Sequence, residues 1–278
     1  MLAGRYPELQ GKVALVTGAG RDLGIGAAIC RRLASEGCRV VVTDVPSTSA
    51  TASLSPAEAV SDDVDKVVAG IKAEGGAALG LACDVLAEGD IEAAVAASVE
   101  SFGSLDILVN NAGIGFLMSP LTETSADDWD KVLGVNLRGA FLATKHAARR
   151  MIEQASGGRI INIASQAAKS GFPFAAGYCS SKHGMVGLTR VSAIELGQHD
   201  ITVNAICPGF VETDLLKDAA KKFGIEFPEL VEGMIKPRVA IQRAIQPEEV
   251  AHLAVYLASG ESEGMTGQSI VLDGGMIY

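Results

Sequence analysis

The amino-acid sequence predicts an α/β fold with a doubly wound parallel β-sheet. Short apolar segments, of the kind found in strands buried on both faces, alternate with segments of helical periodicity along nearly the whole chain. A glycine-rich turn joins the first of these strands to the first helix, as in a βαβ unit. Neither a flexible linker nor a block of charge divides the sequence, so we expect residues 1–278 to form a single domain.

The first βαβ unit occupies residues 12–44. Residues 12–17 are almost wholly apolar and predict the first strand. Apolar residues then recur at helical spacing from Ile25 to Leu33, and the helix ends at Glu36. Residues 39–43 predict the second strand, which leads directly into Asp44.

The alternation of strands and helices continues to the end of the chain. Helices are predicted over 62–74, 87–102, 125–151 and 177–197, and strands over 77–83, 107–109, 159–163, 202–207 and 269–272. A last helix begins at Gln246, with proline and two acids in its first turn. Residues 46–61 are small and turn-prone, which predicts a surface loop or short helix. Residues 212–239 break the alternation, which suits a mobile substrate lid.

Residues 18–26, with the sequence GAGRDLGIG, form the glycine-rich turn. Glycines let the backbone approach a pyrophosphate, whose charge is bound by free amides at the helix N-terminus. Asp44, about 20 residues further on, is placed to accept hydrogen bonds from adenosine ribose hydroxyls. Its charge would repel a 2′-phosphate, so the sequence favours NAD over NADP. Arg21 leaves NADP open, because a guanidinium in this loop can reach a phosphate.

Tyr178 and Lys182 lie four residues apart in the predicted 177–197 helix, so the phenol and the ammonium share one face. A phenol has a pKa near 10, and a fixed cation beside it lowers that pKa. Tyr178 is therefore a candidate general acid or base for an alcohol or ketone. On its own the pair is more typical of an ordinary polar helix face. Whether it is catalytic therefore depends on the motifs elsewhere in the chain.

Composition and charge exclude several classes of protein. The formal net charge of −10 and the scattered Lys and Arg residues argue against a nucleic-acid surface. No apolar run approaches the length of a membrane span and no signal-peptide core is seen, so we expect a cytoplasmic protein. The five cysteines lack CxxC spacing and predict reduced core thiols. The four histidines lack metal-ligand spacing and carboxylate-rich neighbourhoods, so we interpret them as surface or capped residues and expect no metal.

Several short motifs occur in a fixed order, and together they resemble the short-chain dehydrogenase/reductase family. They are Asn110-Asn111-Ala112-Gly113, Asn136, Ser165, Tyr178 with Lys182, Pro208-Gly209 with Thr213, and Gly267-Gln268 followed by Asp273-Gly274-Gly275. The resemblance runs from about Lys12 to Gly275. It implies a Rossmann fold and an NAD(P)-dependent oxidoreductase acting on CH–OH groups. It also implies a homotetramer with the 125–151 and 177–197 helices at one interface.

The resemblance further implies roles for single residues. Ser165 would hydrogen-bond the substrate oxygen, Tyr178 would transfer its proton, and Lys182 would lower the tyrosine pKa and hold the nicotinamide ribose. Asn136 would anchor a water in a proton relay. The residues expected to contact the cofactor are Gly18, Gly20, Arg21, Leu23, Gly24, Ile25, Gly26, Asp44, Asp84, Val85, Asn111, Ala112, Gly113, Tyr178, Lys182, Pro208, Gly209, Val211 and Thr213. The residues expected to contact the substrate are Ser165, Gln166 and Tyr178. Asp84 is equally typical of a turn-forming residue.

The glycine turn departs from the family's usual TGxxxGxG pattern. Five residues separate Gly18 from Gly24 where the family has three, so the phosphate loop is longer by two. Enoyl reductases of the same superfamily also have irregular glycine loops, but they separate their tyrosine and lysine by more residues. The three-residue gap between Tyr178 and Lys182 favours an alcohol or ketone substrate.

Three functions follow from these patterns. The first is NAD-dependent interconversion of a secondary alcohol and a ketone, and the second is an NADPH-dependent carbonyl or 3-oxoacyl reductase. The third is a non-enzymatic NAD-binding sensor or scaffold, which would be expected to have lost some of the four catalytic residues. Residues expected to face the substrate are Ile114, Phe116, Gln166, Phe172 and Phe174, with Lys217, Lys221 and Lys222 available to an anionic one.

Overall fold

A seven-stranded parallel sheet forms the centre of the described part of the chain. The structure is a computed structural model and describes residues 5–45, 60–115, 118–222 and 224–276. The strands are β1 (Val13–Val16), β2 (Arg39–Asp44), β3 (Ala77–Ala82), β4 (Ile107–Asn110), β5 (Gly158–Ile163), β6 (Ile201–Pro208) and β7 (Ser269–Leu272). Their order across the sheet is β3-β2-β1-β4-β5-β6-β7. The predicted doubly wound parallel sheet is confirmed.

The sheet is wound in both directions from its first strand. β1 pairs with β2 on one side and with β4 on the other, and all four of its residues are buried. Because the chain leaves β1 towards β2 and later returns to β4, the crossovers diverge between β1 and β4. A crevice opens at that switch point, beyond the carboxyl ends of the strands.

Helices cover both faces of the sheet. They are α1 (Ile25–Ser35), α2 (Val60–Ala73), α3 (Glu88–Phe102), α4 (Ala126–Leu133), α5 (Gly139–Gln154), α6 (Ala176–Leu196), α7 (Asp214–Lys222), α8 (Phe227–Leu230) and α9 (Pro247–Ala258). Helices α1, α2 and α9 pack on one face, against side chains such as Ala14 and Val16. Helices α3 and α5 pack on the other face, where Leu15 points. Alternate residues of one strand therefore serve two cores, which is why the strands are apolar throughout.

The long helix predicted over 125–151 is interrupted by one π-helical turn. Ser125 caps the start of α4 by accepting a hydrogen bond from the Asp128 amide (3.1 Å). A π turn at Gly134–Arg138 then separates α4 from α5 and contains Asn136. Such turns occur frequently at functional sites, and this one turns the Asn136 side chain inward, where it is fully buried.

The 212–239 segment is largely helical and packs on the end of the sheet. Phe172, Phe210, Leu216 and Val231 pack against a small buried cluster of Ile235, Val239, Ala244 and Met276. Among residues 5–45, 60–115, 118–222 and 224–276, no helix has the length and apolarity needed to cross a bilayer. The loop predicted over 46–61 lies mostly outside the described residues, and α2 already begins at Val60.

The cysteines behave as the sequence predicts. All five are free, with Cys30, Cys38, Cys83 and Cys207 buried and Cys179 half-buried.

Candidate active site

Ser165 and Tyr178 meet just beyond the carboxyl end of β5. Ser165 begins a 3-10 turn, Gln166–Ala168, and its hydroxyl accepts a hydrogen bond from the Ala167 amide (3.1 Å). Tyr178 lies in the first turn of α6, with its phenol near enough to the Ser165 side chain for that hydroxyl to lower the phenol pKa. The two hydroxyls therefore converge on one point, where an oxygen atom of a ligand could contact both.

Lys182 lies one turn further along α6 and is almost fully buried, with 4% of its surface exposed. Its Nζ donates a hydrogen bond to the Ile163 carbonyl (2.8 Å) and lies 5.8 Å from the centre of the Tyr178 ring. Burial lowers the pKa of this ammonium to about 8 because it disfavours the charged form. The helix thus holds a desolvated cation beneath the tyrosine ring.

The expected lowering of the tyrosine pKa is wrong for this structure. Burial raises the pKa of Tyr178 above its ordinary value, and the hydrogen bond from Ser165 opposes that effect without reversing it. Lys182 is not among the groups that lower it. The physical reason is that burial disfavours the charged phenolate more than Ser165 favours it, while the Lys182 ammonium is bonded to the Ile163 carbonyl.

Asn136 joins the loop after β4 to helix α6. Its Oδ1 accepts a hydrogen bond from the Ile114 amide (2.8 Å), while its Nδ2 donates to the Ile114 carbonyl (2.9 Å) and to Ser181 Oγ (3.0 Å). A Cβ on Gly113 would lie 3.3 Å from Asn136 Oδ1 and 3.6 Å from Lys182 Nζ. Asn136, Lys182 and the backbone at Gly113 therefore lie side by side, although both amide protons of Asn136 are already used within the protein.

The glycine turn forms a cradle that has no room for side chains. Gly18 has a φ of +64°, and a Cβ there would lie 2.5 Å from the Ala112 Cα. A Cβ on Gly26 would lie 2.5 Å from Asn111 Nδ2. Gly24 is the residue before α1, so the free amides of that helix's first turn follow it directly. This bare backbone in front of a helix N-terminus fits a pyrophosphate group.

Asn111 and Thr17 bind the cradle to the end of β4. Asn111 Nδ2 donates to the carbonyls of Thr17 (3.0 Å) and Gly18 (2.6 Å). The Thr17 hydroxyl accepts hydrogen bonds from the amides of Asn111 (3.1 Å) and Ala112 (3.2 Å). Asn111 thus fixes the shape of the glycine turn, and any contact it makes with a cofactor stays a prediction.

Asp44 lies beside this cradle at the end of β2. Its Oδ2 accepts a hydrogen bond from the Gly20 amide (2.7 Å), and its Oδ1 accepts one from the Val45 amide (2.8 Å). Burial raises the pKa of the carboxyl, and the two amide hydrogen bonds and the nearby Arg21 oppose this. Each carboxylate oxygen has a second lone pair, so ribose hydroxyls could still bind there.

The other predicted loop residues lie around the glycine turn. Leu23 is half exposed beside it, and Ile25 begins α1. Arg21 Nη1 lies 3.7 Å from Asp218 Oδ2 on α7, so the lengthened loop contacts the 212–239 segment.

Asp84 and Val85 lie in the turn between β3 and α3. The Asp84 carboxylate accepts a hydrogen bond from the Leu86 amide (2.9 Å), which confirms its turn-forming role. Val85 is buried, and a Cβ on Gly139 would lie 2.8 Å from its Cγ2. Contact of these two residues with adenine stays a prediction.

The residues that follow β6 contact the end of β7 and the residues just before α9. The Gly209 amide donates to the Leu272 carbonyl (3.0 Å), and Val211 forms a bridge with Ile245. Buried Thr213 caps the start of α7, where its Oγ1 accepts a hydrogen bond from the Leu216 amide (3.3 Å). Pro208, the last residue of β6, brings this segment to the same edge of the sheet as Ser165.

The predicted substrate-facing residues are only partly brought together. Gln166 is buried beside Ser165, and its Oε1 accepts a hydrogen bond from Ser170 (3.0 Å). Phe172 packs into the apolar cluster under the 212–239 segment, whereas Phe174 is 56% exposed and has a φ of +66°. Ile114 packs against the core, and Phe116 lies outside the described residues.

The lysines of the 212–239 segment are engaged with other side chains. Lys217 pairs with Glu212 (3.2 Å) and Lys221 contacts Asp218 (4.0 Å). The side chain of Lys222 lies outside the described residues.

One histidine was placed wrongly by the sequence. His146 on α5 is buried, with Nε2 2.9 Å from a Glu88 oxygen and Nδ1 3.6 Å from a Glu92 oxygen of α3. Of the two expected placements, surface or capped, the surface one is wrong for His146, and so is the expectation that its neighbourhood lacks carboxylates, because helices α3 and α5 pack together. Lys145 also pairs with Glu88 (2.7 Å), so one of the two carboxylates has a lysine cation beside it.

Thr17 and Ser181 are site residues that sequence reasoning missed. Thr17 was interpreted only as the end of a strand, yet its hydroxyl holds two amides of the loop after β4. Ser181 was passed over inside the Tyr178 to Lys182 stretch, yet its Oγ accepts from Asn136 and donates to the Tyr178 carbonyl (2.7 Å). Thr17 directly precedes the glycine turn, and that position was the signal available.

The chain is similar over nearly its whole length to known oxidoreductases. Residues 18–277 match a family model described as enoyl-(acyl carrier protein) reductase. The chain is 40% identical over 269 residues to a short-chain dehydrogenase/reductase of Armillaria gallica, with 97% of both chains covered. It is 38% identical to D-threitol dehydrogenase of Mycolicibacterium smegmatis, over 96% of this chain and 94% of that protein. A solved variant of actinorhodin polyketide ketoreductase with NADPH superposes with a TM-score of 0.85 at 37% identity, over 95% of this chain and 96% of that one.

Proposed function

Because the chain belongs to the short-chain dehydrogenase/reductase family of oxidoreductases acting on CH–OH and carbonyl groups, we propose that it interconverts a secondary alcohol and a ketone with NAD. The observation that carries this proposal is the meeting of the Ser165 and Tyr178 hydroxyls above the buried Lys182. A Cβ on Gly115 would lie 3.6 Å from Tyr178 Cε2, so the loop after β4 forms the opposite wall. Two hydroxyls converging on one point suit a single substrate oxygen.

The four residues have distinct roles in the proposed mechanism. The Ser165 hydroxyl donates a hydrogen bond to the substrate oxygen, and Tyr178 takes up or returns the proton of the substrate hydroxyl. Lys182, one helical turn beyond Tyr178, would hold the nicotinamide ribose, a role that is proposed from the resemblance. Asn136 holds the Ile114 loop against α6, and its part in a water-mediated proton relay is proposed from the resemblance alone. The nicotinamide supplies or takes the hydride when bound.

The proposed cofactor site runs from Asp44 across the glycine cradle to Gly113. Gly18, Gly24 and Gly26 would hold the pyrophosphate, and Asp44 would hold the adenosine ribose. The half-buried carboxylate of Asp44 supports NAD because a 2′-phosphate placed beside it would be repelled. The solved ketoreductase with NADPH favours the second candidate, an NADPH-dependent carbonyl or 3-oxoacyl reductase.

The substrate class is proposed from the spacing of the catalytic pair. The matched family model is described as an enoyl-(acyl carrier protein) reductase, whereas the three-residue gap between Tyr178 and Lys182 favours a carbonyl or alcohol group. D-threitol dehydrogenase, by its name, acts on a polyol. We therefore propose a neutral secondary alcohol as the substrate, enclosed by the 212–239 segment as a lid.

A homotetramer is the proposed assembly, in the cytoplasm. Large apolar side chains are exposed on α5 at Phe141 and Ile152 and on α6 at Val191 and Ile194. The most exposed of these four is Ile194, at 81%. Exposed apolar residues on two adjacent helices suit an interface with a second copy. Sedimentation that shows a stable monomer would contradict this assembly.

Replacement of the tyrosine tests the proposed function most simply. Tyr178→Phe removes the hydroxyl and retains the ring, so we expect turnover of secondary alcohols to fall by at least about a hundredfold while NADH binding persists. Tyr256→Phe, on α9, is the matched control and is expected to retain activity. If Tyr178→Phe keeps most of its activity, the proposed acid–base role is wrong.

A further inference from the structure

Arg21 and Asp218 form a contact between the glycine-rich turn and the 212–239 segment. The sequence patterns did not indicate that these two parts of the site meet. Arg21 belongs to the lengthened glycine turn, and Asp218 lies in the middle of α7. Guanidinium Nη1 and carboxylate Oδ2 are 3.7 Å apart, and the two side chains are only 22% and 29% exposed. Helix α7 is itself held in place, because Leu216 packs against the apolar cluster beneath the 212–239 segment. The pair is therefore a partly buried contact between the phosphate loop and the lid.

Arg21 also lies next to the carboxylate proposed to bind the adenosine ribose. It follows Gly20, whose amide donates to Asp44 Oδ2 (2.7 Å), and a Cβ on Gly20 would lie 2.9 Å from that oxygen. The positive charge of Arg21 acts on Asp44 and lowers the pKa of that carboxyl against the larger effect of burial. A phosphate on the ribose 2′ position would thus enter the neighbourhood of the Arg21 guanidinium.

Three carboxylates lie around this position, and two of them also have a lysine beside them. Asp63 on α2 acts on Asp44 as well and raises the pKa of its carboxyl, as expected for two nearby like charges. Asp63 pairs with Lys66 (2.8 Å), and Asp218 has Lys221 4.0 Å away in addition to Arg21. The contact with Asp218 directs the Arg21 cation towards the lid, and Asp44 and Asp63 remain on the ribose side.

We propose that Asp218 is a cofactor-specificity residue: from the lid it holds the Arg21 guanidinium and withholds it from a 2′-phosphate, so that the protein binds NADH in preference to NADPH. This inference rests on the proposed function, since it assumes that a nicotinamide dinucleotide occupies the cradle. Its consequence is that cofactor choice depends on a residue outside the βαβ unit. A guanidinium in the glycine loop therefore does not by itself make the site an NADP site.

The test is the ratio of NADPH to NADH dissociation constants, measured by fluorescence titration at one fixed ionic strength. Asp218→Asn removes the charge and retains the shape of the side chain. We expect it to shift the ratio towards NADPH by about fivefold, the size expected for one partly exposed charge pair. Asp218→Glu keeps the carboxylate and is expected to restore the ratio of the unchanged protein. Circular dichroism confirms that each variant is folded.

Two further variants make the interpretation specific. Lys221→Met removes the other cation beside Asp218 and is expected to leave the ratio within about twofold, since that side chain is exposed and contributes little. Arg21→Met combined with Asp218→Asn is expected to cancel the gain in NADPH binding, because the released guanidinium is then absent. A gain that persists in this double variant would overturn the inference.

The outcomes separate this inference from the proposed function. If the unchanged protein prefers NADH and Asp218→Asn leaves the ratio unchanged, the role of Asp218 is wrong and the proposed function stands. If the unchanged protein prefers NADPH, both the choice of NAD and the role of Asp218 are wrong. If it binds neither dinucleotide, the proposed function itself fails.

Discussion

Lys182→Met should make the protein more stable at neutral pH while abolishing its activity. The Lys182 ammonium is buried, and its pKa falls from 10.5 to about 8 on folding. Each pKa unit corresponds to about 1.4 kcal/mol, so keeping this group charged in the folded protein costs about 3 kcal/mol. Methionine has a similar length and no charge. It also leaves the Ile163 carbonyl without its hydrogen bond, which costs about 1–3 kcal/mol. The net expectation is an increase of up to about 2 kcal/mol in the free energy of unfolding.

The pH dependence of that difference is the sharper test. Because the folded pKa lies below the unfolded one, the unfolded chain binds more protons between about pH 8 and about pH 10.5, and stability rises with pH through that window. The methionine variant lacks this rise, so its advantage at about pH 7 should shrink by about 3 kcal/mol towards about pH 10.5. Urea unfolding of both proteins at one fixed concentration, followed by circular dichroism, measures it. Lys221→Met, at a 71% exposed side chain, is the matched control. Parallel stabilities of Lys182→Met and the unchanged protein across this range would refute the reasoning.

Two further predictions concern the glycine cradle and the α3–α5 contact. Gly26→Ala places a Cβ 2.5 Å from Asn111 Nδ2. An overlap of this kind costs about 1–3 kcal/mol. We therefore expect titration to show that the variant binds NADH at least about fivefold more weakly. Gly187→Ala on α6, where a Cβ meets nothing within 4 Å, is its control, and equal binding by both variants would contradict the tight cradle. The hydrogen bond from Lys145, with a second from His146, lowers the pKa of Glu88 to about 2. This carboxylate therefore stabilises the fold above its unfolded pKa, and the contribution is lost as the pH falls through about 2. Thermal melts should show Glu88→Gln slightly less stable at neutral pH, with the difference vanishing in strong acid; a constant difference would contradict the ion pairing.

The sequence predicts this fold well where its signals are local. The βαβ unit from β1 to Asp44 was recovered within a residue or two, because glycine spacing and apolar periodicity are properties of adjacent residues. The edge of the sheet at which Ser165 and Tyr178 meet was also predictable, since ligands of doubly wound sheets lie beyond the strand ends.

Contacts between distant segments were not predictable from these signals. No pattern indicated that Lys182 would donate to the Ile163 carbonyl, or that burial would raise the pKa of Tyr178. The burial of His146 against α3 and the contact between Arg21 and Asp218 likewise depend on how helices pack around the sheet. The π turn at Gly134–Arg138 leaves no trace in a periodicity that continues through it.

The most direct test of the proposed function is formation of NADH from NAD and a panel of secondary alcohols by the purified protein. We expect at least one alcohol to give NADH and its ketone in equal amounts, with the reaction lost in Tyr178→Phe and retained in Tyr256→Phe. Binding of NADH without turnover of any alcohol or ketone on the panel would contradict the enzymatic account. Such a result would favour a dinucleotide-binding sensor or scaffold instead.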